Sequence, residues 1–575
     1  MSNGNNSSNE NQSSVNKLLS NDYIDIIVEY SGNLNYLKKF GEGNYTIIDE
    51  TFAMVHLPGN EITQEFIRQY GWTSLPYLGG IQDTTALEAS GITKLQNIPK
   101  LSLRGQGTLI GILDTGIDYT NEVFKNADNT TKIVSIWDQT IQTPGKEPEG
   151  FYYGTEYTRE QINDALKNPN PYDIVPSRDD NGHGTQVAGI AAGSPVAKAD
   201  FVGVAPDSEL IIVKLRYAKK VYRDYFFIPE NALCYQTTDP MFAVQYIAKV
   251  AEKLARPYAI LFALGTSQGA HDGRGAFART LGYLSRKVGT GVIIAAGNEG
   301  NRGSHYYGVI DKNVGYDVVE LNVGENSKGF TMELWGTPPN LYSVDILSPS
   351  GEYIPRISAK IRESREIKFL FESTVLYLEF QILDEQTGNE RILFRFKNPT
   401  KGIWRIRIYG TGNLSMSYHI WLPIKEFLDS DTFFVKPDQY TTITSPGNTS
   451  YPITVTAYSH TNNSLYTNAS RGFTALNQVK PEIAAPGVNI YCPTLNNQYT
   501  RSTGSSIAAA QVAGVSALLL EWGIIKKNYE RMDTLIIKRM LIGGAKRDPN
   551  SSYPNRDWGY GILDLYNTFL TLRGE

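Results

Sequence analysis

The sequence predicts an α/β protein built on a doubly wound, mostly parallel sheet, with a small α+β module before it and an all-β sandwich inserted into it. Three observations carry this. Short apolar runs (TLIGILDTG from Thr108, SELIIVKL from Ser208, YAILFALG from Tyr258, GVIIAAGNEG from Gly291) recur with helical stretches between the later ones, the mark of strands buried on both faces of a parallel sheet. Eight short alternating runs crowd residues 316–435. The first eighty residues read βαββα.

Along the chain, residues 1–20 are dominated by Asn and Ser and lack apolar periodicity, so they are expected to form a disordered leader. Residues 21–84 form the α+β module. Its strands are YIDIIVEY from Tyr23, YTIID from Tyr45 and TFAMVHL from Thr51. Its helices lie near Asn35–Phe40 and over Asn60–Gly71, followed by an extended tail. Residues 85–315 carry the first part of the α/β unit. In its best helix, from Asp239, that Asp is expected to cap, with Pro240 in the first turn and Pro257 enforcing the stop. Residues 316–435 are the sandwich, jelly-roll-like in its turn spacing; its Trp335, Trp404 and Trp421 are read as core. Residues 436–575 complete the α/β unit with a strand from Ile453 and a long helix from Ser506.

Composition sets outer limits. Of 575 residues, 41% are apolar and 20% charged, which allows a sizeable core and excludes wholesale disorder. A net charge of −5 argues against a nucleic-acid or anionic-membrane binder. No apolar run is expected to reach the roughly 18–20 residues that span a bilayer. The N-terminus shows no secretory signal, so synthesis in the cytoplasm is expected. Two cysteines, Cys234 and Cys492, exclude a disulfide scaffold and a cysteine-rich zinc module.

Active groups of parallel sheets sit at the carboxyl ends of strands, which directs attention to Asp114, Leu264 and Asn298. In ILDTGID Asp114 closes a buried strand, His183 opens the helix of NGHGTQVAGIAAG, and Ser506 opens the helix of TGSSIAAAQVAG. Asn298 follows a strand in AAGNEG. A serine nucleophile needs a base, a carboxylate to hold the base's tautomer, and donors for the oxyanion. Singly, each motif has an ordinary reading as a turn or cap; four in order do not.

With these motifs the chain resembles a subtilase, a subtilisin-like serine protease, over roughly 88–310 and 440–570. The order Asp, His, Ser is the subtilisin order. VKPEIAAPGVNI from Val479 and DWGYGILDL from Asp557 resemble further family landmarks. The resemblance implies that Asp114 orients, that His183 is the general base and acid, that Ser506 attacks, and that Asn298 donates to the oxyanion. It also implies that Leu264 and Gly265 pair with substrate backbone and that Ala295, Ala296 and Gly297 line the specificity pocket. Departures from the family pattern are Ser505 in place of Thr, Gln186 in place of His, and Ile507-Ala508-Ala509-Ala510-Gln511 after the nucleophile. Ser194–Phe201 replaces the calcium loop and offers one carboxylate, Asp200, where a hard cation needs about six oxygens, so no calcium is expected there. No cofactor is implied, and His271 is read as loop structure.

The α+β module resembles a subtilase propeptide, and the inserted sandwich resembles that of the clostridial germination-specific subtilases, the Csp proteases. ALEASGI from Ala86 and LGTSQGAHDG from Leu264 support this. The resemblance implies cleavage near Gln82, Asp83, Thr84, Thr85 and Ala86, with the cut propeptide retained non-covalently. It further implies a protein substrate, a cortex-lytic pro-enzyme, and action in spores. The alternative within that group is a propeptide-plugged pseudoprotease acting in signalling.

Overall fold

The computed structural model describes residues 17–76, 78–81, 90–96, 101–358 and 363–572. The expected processing stretch, Gln82–Ala86, lies outside them, as do residues 1–16 of the leader. The end of the leader departs from expectation. Residues 17–19 are helical, and Leu18 is wholly buried. Its carbonyl accepts from Arg216 Nη1 at 3.0 Å, and the Lys17 carbonyl accepts from Lys219 Nζ at 3.3 Å. An apolar side chain and two cationic donors fix a segment whose composition alone read as unstructured.

The module that follows is a three-stranded antiparallel sheet in the order Tyr23–Glu29, Phe52–Pro58, Tyr45–Ile47. Its helices are Leu34–Leu37 and Gln64–Tyr70. The second starts later than expected, because Thr63 is its cap and accepts from the Phe66 N–H at 3.2 Å.

The central sheet runs Ser464–Leu465, Ile453–Ser459, Thr290–Ala295, Tyr258–Phe262, Leu109–Asp114, Glu209–Lys214, Ile133–Asp138, Thr155–Thr158, with Ile483–Pro486 also beside Ile453–Ser459. Only the Ser464–Leu465 and Thr155–Thr158 strands pair antiparallel. Every side chain of Leu109–Asp114, Tyr258–Phe262 and Thr290–Ala295 is buried, which explains their unbroken apolar runs. Helices His183–Ala192 and Ser505–Leu520 cover one face, and Thr238–Lys253 and Ala276–Leu284 the other. Asp239 lies inside the third of these helices; Thr237 is the cap residue. The Asp239 carboxylate is instead drawn into a buried pair with Arg216 Nε at 2.9 Å.

Helix Ser505–Leu520 is buried along its whole length. With the turn after it, Ser505–Ile525 is 21 residues of mean hydropathy 1.6, long and apolar enough to cross a membrane by length and composition. This corrects the expectation that no such run exists. Most of it is enclosed by protein, as a core helix of a large domain must be. Small residues permit the enclosure: a Cβ on Gly514 would come within 2.4 Å of Val204 Cβ.

The sandwich has one sheet ordered His305–Val309, Ser417–Trp421, Gly329–Gly336, Glu390–Lys397, Val375–Gln381, Glu363–Lys368. The other is Tyr353–Ile357, Leu341–Leu347, Gly402–Thr411, Tyr316–Val323, Phe433–Phe434. Its first strand therefore begins at His305, upstream of the expected 316, because His305–Val309 pairs with Ser417–Trp421 and so cannot belong to the central sheet. Trp404 is in its core. Trp335 and Trp421 are buried at the junction with the α/β unit, against Ala270, where Trp421 stacks on His271 at 4.1 Å.

Candidate active site

Three neighbouring strands of the central sheet end level. Phe262 is in register with Leu113 on one side and Ile294 on the other, so Asp114, Ala263 and Ala295 follow side by side. Apart from Gln82–Ala86, which lie outside the described residues, the expected site residues lie along or next to this edge.

Asp114 is 1% exposed, and its Oδ1 accepts from the Thr115 N–H at 2.7 Å and from His183 Nδ1 at 2.8 Å. A carboxylate only accepts, so Nδ1 carries the proton and Nε2 is left as the basic nitrogen of the ring. His183 reaches this position because Gly182, at φ 95°, turns the chain into the helix. Gly184 then lets the helix start touch the Asp114–Gly116 turn: a Cβ there would lie 2.1 Å from the Gly116 carbonyl oxygen.

Ser506, in the first turn of its helix, donates its hydroxyl to the Ala263 carbonyl at 3.1 Å. Its neighbour Ser505 has two positioning contacts: its Oγ accepts from the Gly297 N–H at 3.1 Å, and its N–H donates to Asn298 Oδ1 at 3.1 Å. Because an N–H can meet only the oxygen end of the amide, Asn298 Nδ2 is turned away from Ser505. Asn298 is 1% exposed. Next to it in sequence, burial, reinforced by Glu426, pushes the Glu299 carboxyl well above the ordinary carboxylate range.

Ala295, Ala296 and Gly297 are buried, and their backbone is committed to neighbouring segments. Ala296 N–H donates to the Val455 carbonyl at 2.9 Å, Thr444 N–H to the Ala296 carbonyl at 3.0 Å, and Ser470 N–H to the Gly297 carbonyl at 2.9 Å. Leu264–Gly265 pairs antiparallel with Leu78–Ile81, Leu264 opposite Ile81 and Gly265 opposite Gly80. The other edge of Leu78–Ile81 pairs with Tyr235–Gln236. The tail of the N-terminal module thus fills a slot between two strands of the α/β unit. His271 is buried in its loop, with ring nitrogens 2.8 Å from the Ile443 carbonyl and 3.1 Å from that of Ser267.

Sequence reasoning passed over Thr115, Asp179 and Glu299. Asp179 had no simple signal: the capping position before the His183 helix is Gly182, and Asp179 reaches the helix start only through the turn between them. Glu299 had none, because its burial is set by segments distant in sequence.

The sequence profile of the subtilase family matches residues 105–317 and 396–561. The solved structure of the Clostridium perfringens CspB protease superposes with a TM-score of 0.75 at 30% identity, covering 84% of this chain and 96% of that one. The C5a peptidase of Streptococcus pyogenes is 22% identical over 512 residues, 82% of this chain and 40% of the peptidase. The PIII-type proteinase of Lactococcus lactis is 23% identical over 565 residues. This chain spans 40% and 27% of the length of those two relatives. The chain belongs to the subtilase family.

Proposed function

We propose that Asp114, His183 and Ser506 act as a catalytic triad with Asn298 as an oxyanion donor, and that the chain cuts itself within Gln82–Ala86 and retains the cut module. The supporting observation is the pairing of Gly80 with Gly265 and Ile81 with Leu264. The backbone leading into the proposed cut thereby runs along the segment whose preceding residue, Ala263, holds the Ser506 hydroxyl.

In this mechanism the hydroxyl turns from Ala263 to His183. Nε2 takes its proton as Oγ bonds to the scissile carbonyl carbon, and the carbonyl oxygen becomes an oxyanion. Asn298 Nδ2 and a first-turn N–H of the Ser506 helix, which has no intrahelical acceptor, donate to that oxygen. His183 then protonates the leaving amine as the C–N bond breaks, and water releases the acyl group by the same path. Asp114 holds the tautomer throughout. Leu264 and Gly265 hold substrate backbone as an added strand, with Ala295, Ala296 and Gly297 at the pocket for the residue before the cut.

Retention of the module rests on its buried contacts. Lys219 Nζ of the α/β unit lies 2.8 Å from Asp25 Oδ2 of the module, and within the module His56 Nδ1 steadies Asp25 Oδ1 at 2.7 Å. The Csp resemblance adds a spore location and a cortex-lytic pro-enzyme as substrate. Intact mass and size exclusion test the reading together. Wild-type protein should contain two fragments split within 82–86 that co-elute without denaturant, and Ser506→Ala a single chain of 64.0 kDa. An uncut wild-type chain overturns self-processing; a cut Ser506→Ala chain overturns the nucleophile.

A further inference from the structure

We propose that Asp179 is a positioning residue that sets the distance and angle between Asp114 and His183, an inference that rests on the triad reading above. Asp179 is 5% exposed, and its two oxygens accept five hydrogen bonds. Oδ1 takes the Thr115 hydroxyl at 2.8 Å, the Asn181 N–H at 3.1 Å and the Gly182 N–H at 2.8 Å. Oδ2 takes the Thr185 N–H at 2.9 Å and the Thr185 hydroxyl at 2.7 Å. It therefore caps the turn and helix that carry His183 while holding the residue next to Asp114.

The two threonines transmit this hold. A hydroxyl has one proton to give, and both give it to Asp179, so each is left as an acceptor on its other side. Thr115 Oγ1 accepts from the Gly184 N–H at 3.0 Å, and Thr185 Oγ1 from the Asp118 N–H at 2.9 Å. The Thr115 N–H meanwhile donates to the same Asp114 oxygen that receives His183. A closed ring results, from Asp114 through Thr115 and Asp179 to the helix start and back through His183. Its direction is set by Asp179, an acceptor at every contact. An asparagine there must turn an N–H₂ toward one set of donors, so one side of the ring opens even though the shape is kept.

Reacting groups misplaced by about 1 Å cost about 10²-fold in rate, and a supporting shell serves to prevent that. The test uses the full-length protein and an activated ester, with the acylation burst counting functional Ser506 and the later phase giving turnover per functional site. Asp179→Asn should lower the acylation rate and turnover per site by about 10–100-fold, leave KM within about twofold, and move the acid limb of the pH–rate profile. Thr115→Val keeps four of the five Asp179 bonds and should show the same change in smaller measure. It decides the matter if Asp179→Asn does not fold. A purely structural Asp179 predicts fewer functional sites and a lower Tm with rate per site and pH profile unchanged in both variants, which would overturn the proposal. A wild-type burst that survives Ser506→Ala instead overturns the triad, a separate outcome.

Discussion

His183 Nδ1 donates to Asp114 Oδ1 across 2.8 Å with both side chains almost wholly buried. Water therefore does not compete for either group, and in the proposed mechanism the charge developing on the imidazole during proton transfer is met by a carboxylate already in place. That preorganisation bears on the substitutions below.

Asn298→Ala should lower kcat by about 10²–10³ with little change in KM, the effect known for loss of one oxyanion-hole donor in subtilisin. The Asn298 side chain also holds the Ser505 N–H, so the melting temperature should fall slightly. Steady-state kinetics on a peptide substrate check this, and near-normal kcat would remove Asn298 from the mechanism.

Lys219→Met should loosen the N-terminal module. Burial pushes the Asp25 carboxyl up, but Lys219 and the His56 hydrogen bond outweigh it and hold Asp25 below the ordinary carboxylate range. Removing the lysine leaves that carboxylate buried without its main counter-charge, which costs about 3–5 kcal/mol. Because the pair would span two fragments after the proposed cut, their dissociation constant should rise at least about a hundredfold. Fragments of Lys219→Met should separate on dilution during size exclusion while wild-type fragments stay together.

Lys132→Met should destabilise the α/β unit by about 2 kcal/mol or more, since two buried carbonyls lose their donor. Lys132 is 1% exposed, and its ammonium donates to the Pro206 carbonyl at 2.5 Å and to that of Ala192, at the end of the His183 helix. This buried amine, whose pKa burial pulls down to about 7, serves the carbonyl end of the helix close to Ser194–Phe201, where the sequence offers no adequate calcium ligands. Thermal melts of the variant should show the loss, and EDTA should leave the wild-type Tm unchanged.

Acid should weaken the junction between sandwich and α/β unit. His419 is held at about 3, mainly by burial, with His271 and Arg556 adding to it. Its Nδ1 lies 2.9 Å from His305 Nε2, and burial also keeps His305 well below its ordinary value. For a histidine whose folded pKa is depressed, the unfolded chain binds the proton first. Stability is thus complete above about 6.5 and lost as pH falls from there toward about 3. Urea midpoints at pH 7 and pH 4.5 should differ, and His419→Phe, which keeps a ring against Trp421, should narrow the difference.

The central strands were legible because burial on both faces leaves no room for polar residues, and the helix starts because Gly-His-Gly and Ser-Ser sit where apolar spacing begins. Asp239 and Leu18 were not legible. Each takes its role from Arg216, whose place in space nothing local in the sequence announces. The sandwich boundary was missed for a related reason: His305–Val309 is recognisable as an edge strand only once Ser417–Trp421 is beside it. At the site, Asp114 and His183 were legible as motifs, whereas the orientation that points Asn298 Oδ1 at Ser505 and its Nδ2 away depends on a hydrogen bond between residues 207 apart.

That same bond has a consequence for the order of synthesis. Pairing of the sandwich's first strand with Ser417–Trp421 shortens the loop between Asn298 and Ser505 by about half, and halving a loop is worth only about 0.6 kcal/mol. Its effect on stability is small; its effect on timing is not. A ribosome that has made the N-terminal module, the Asp114–His183 pair and the whole sandwich has still not made Ser506, the proposed nucleophile. Under the proposed self-processing, the unfinished chain would hold its cleavage stretch and an assembled base, yet it could not cut itself or a neighbour. On that reading the protein arms itself only when helix Ser505–Leu520 docks.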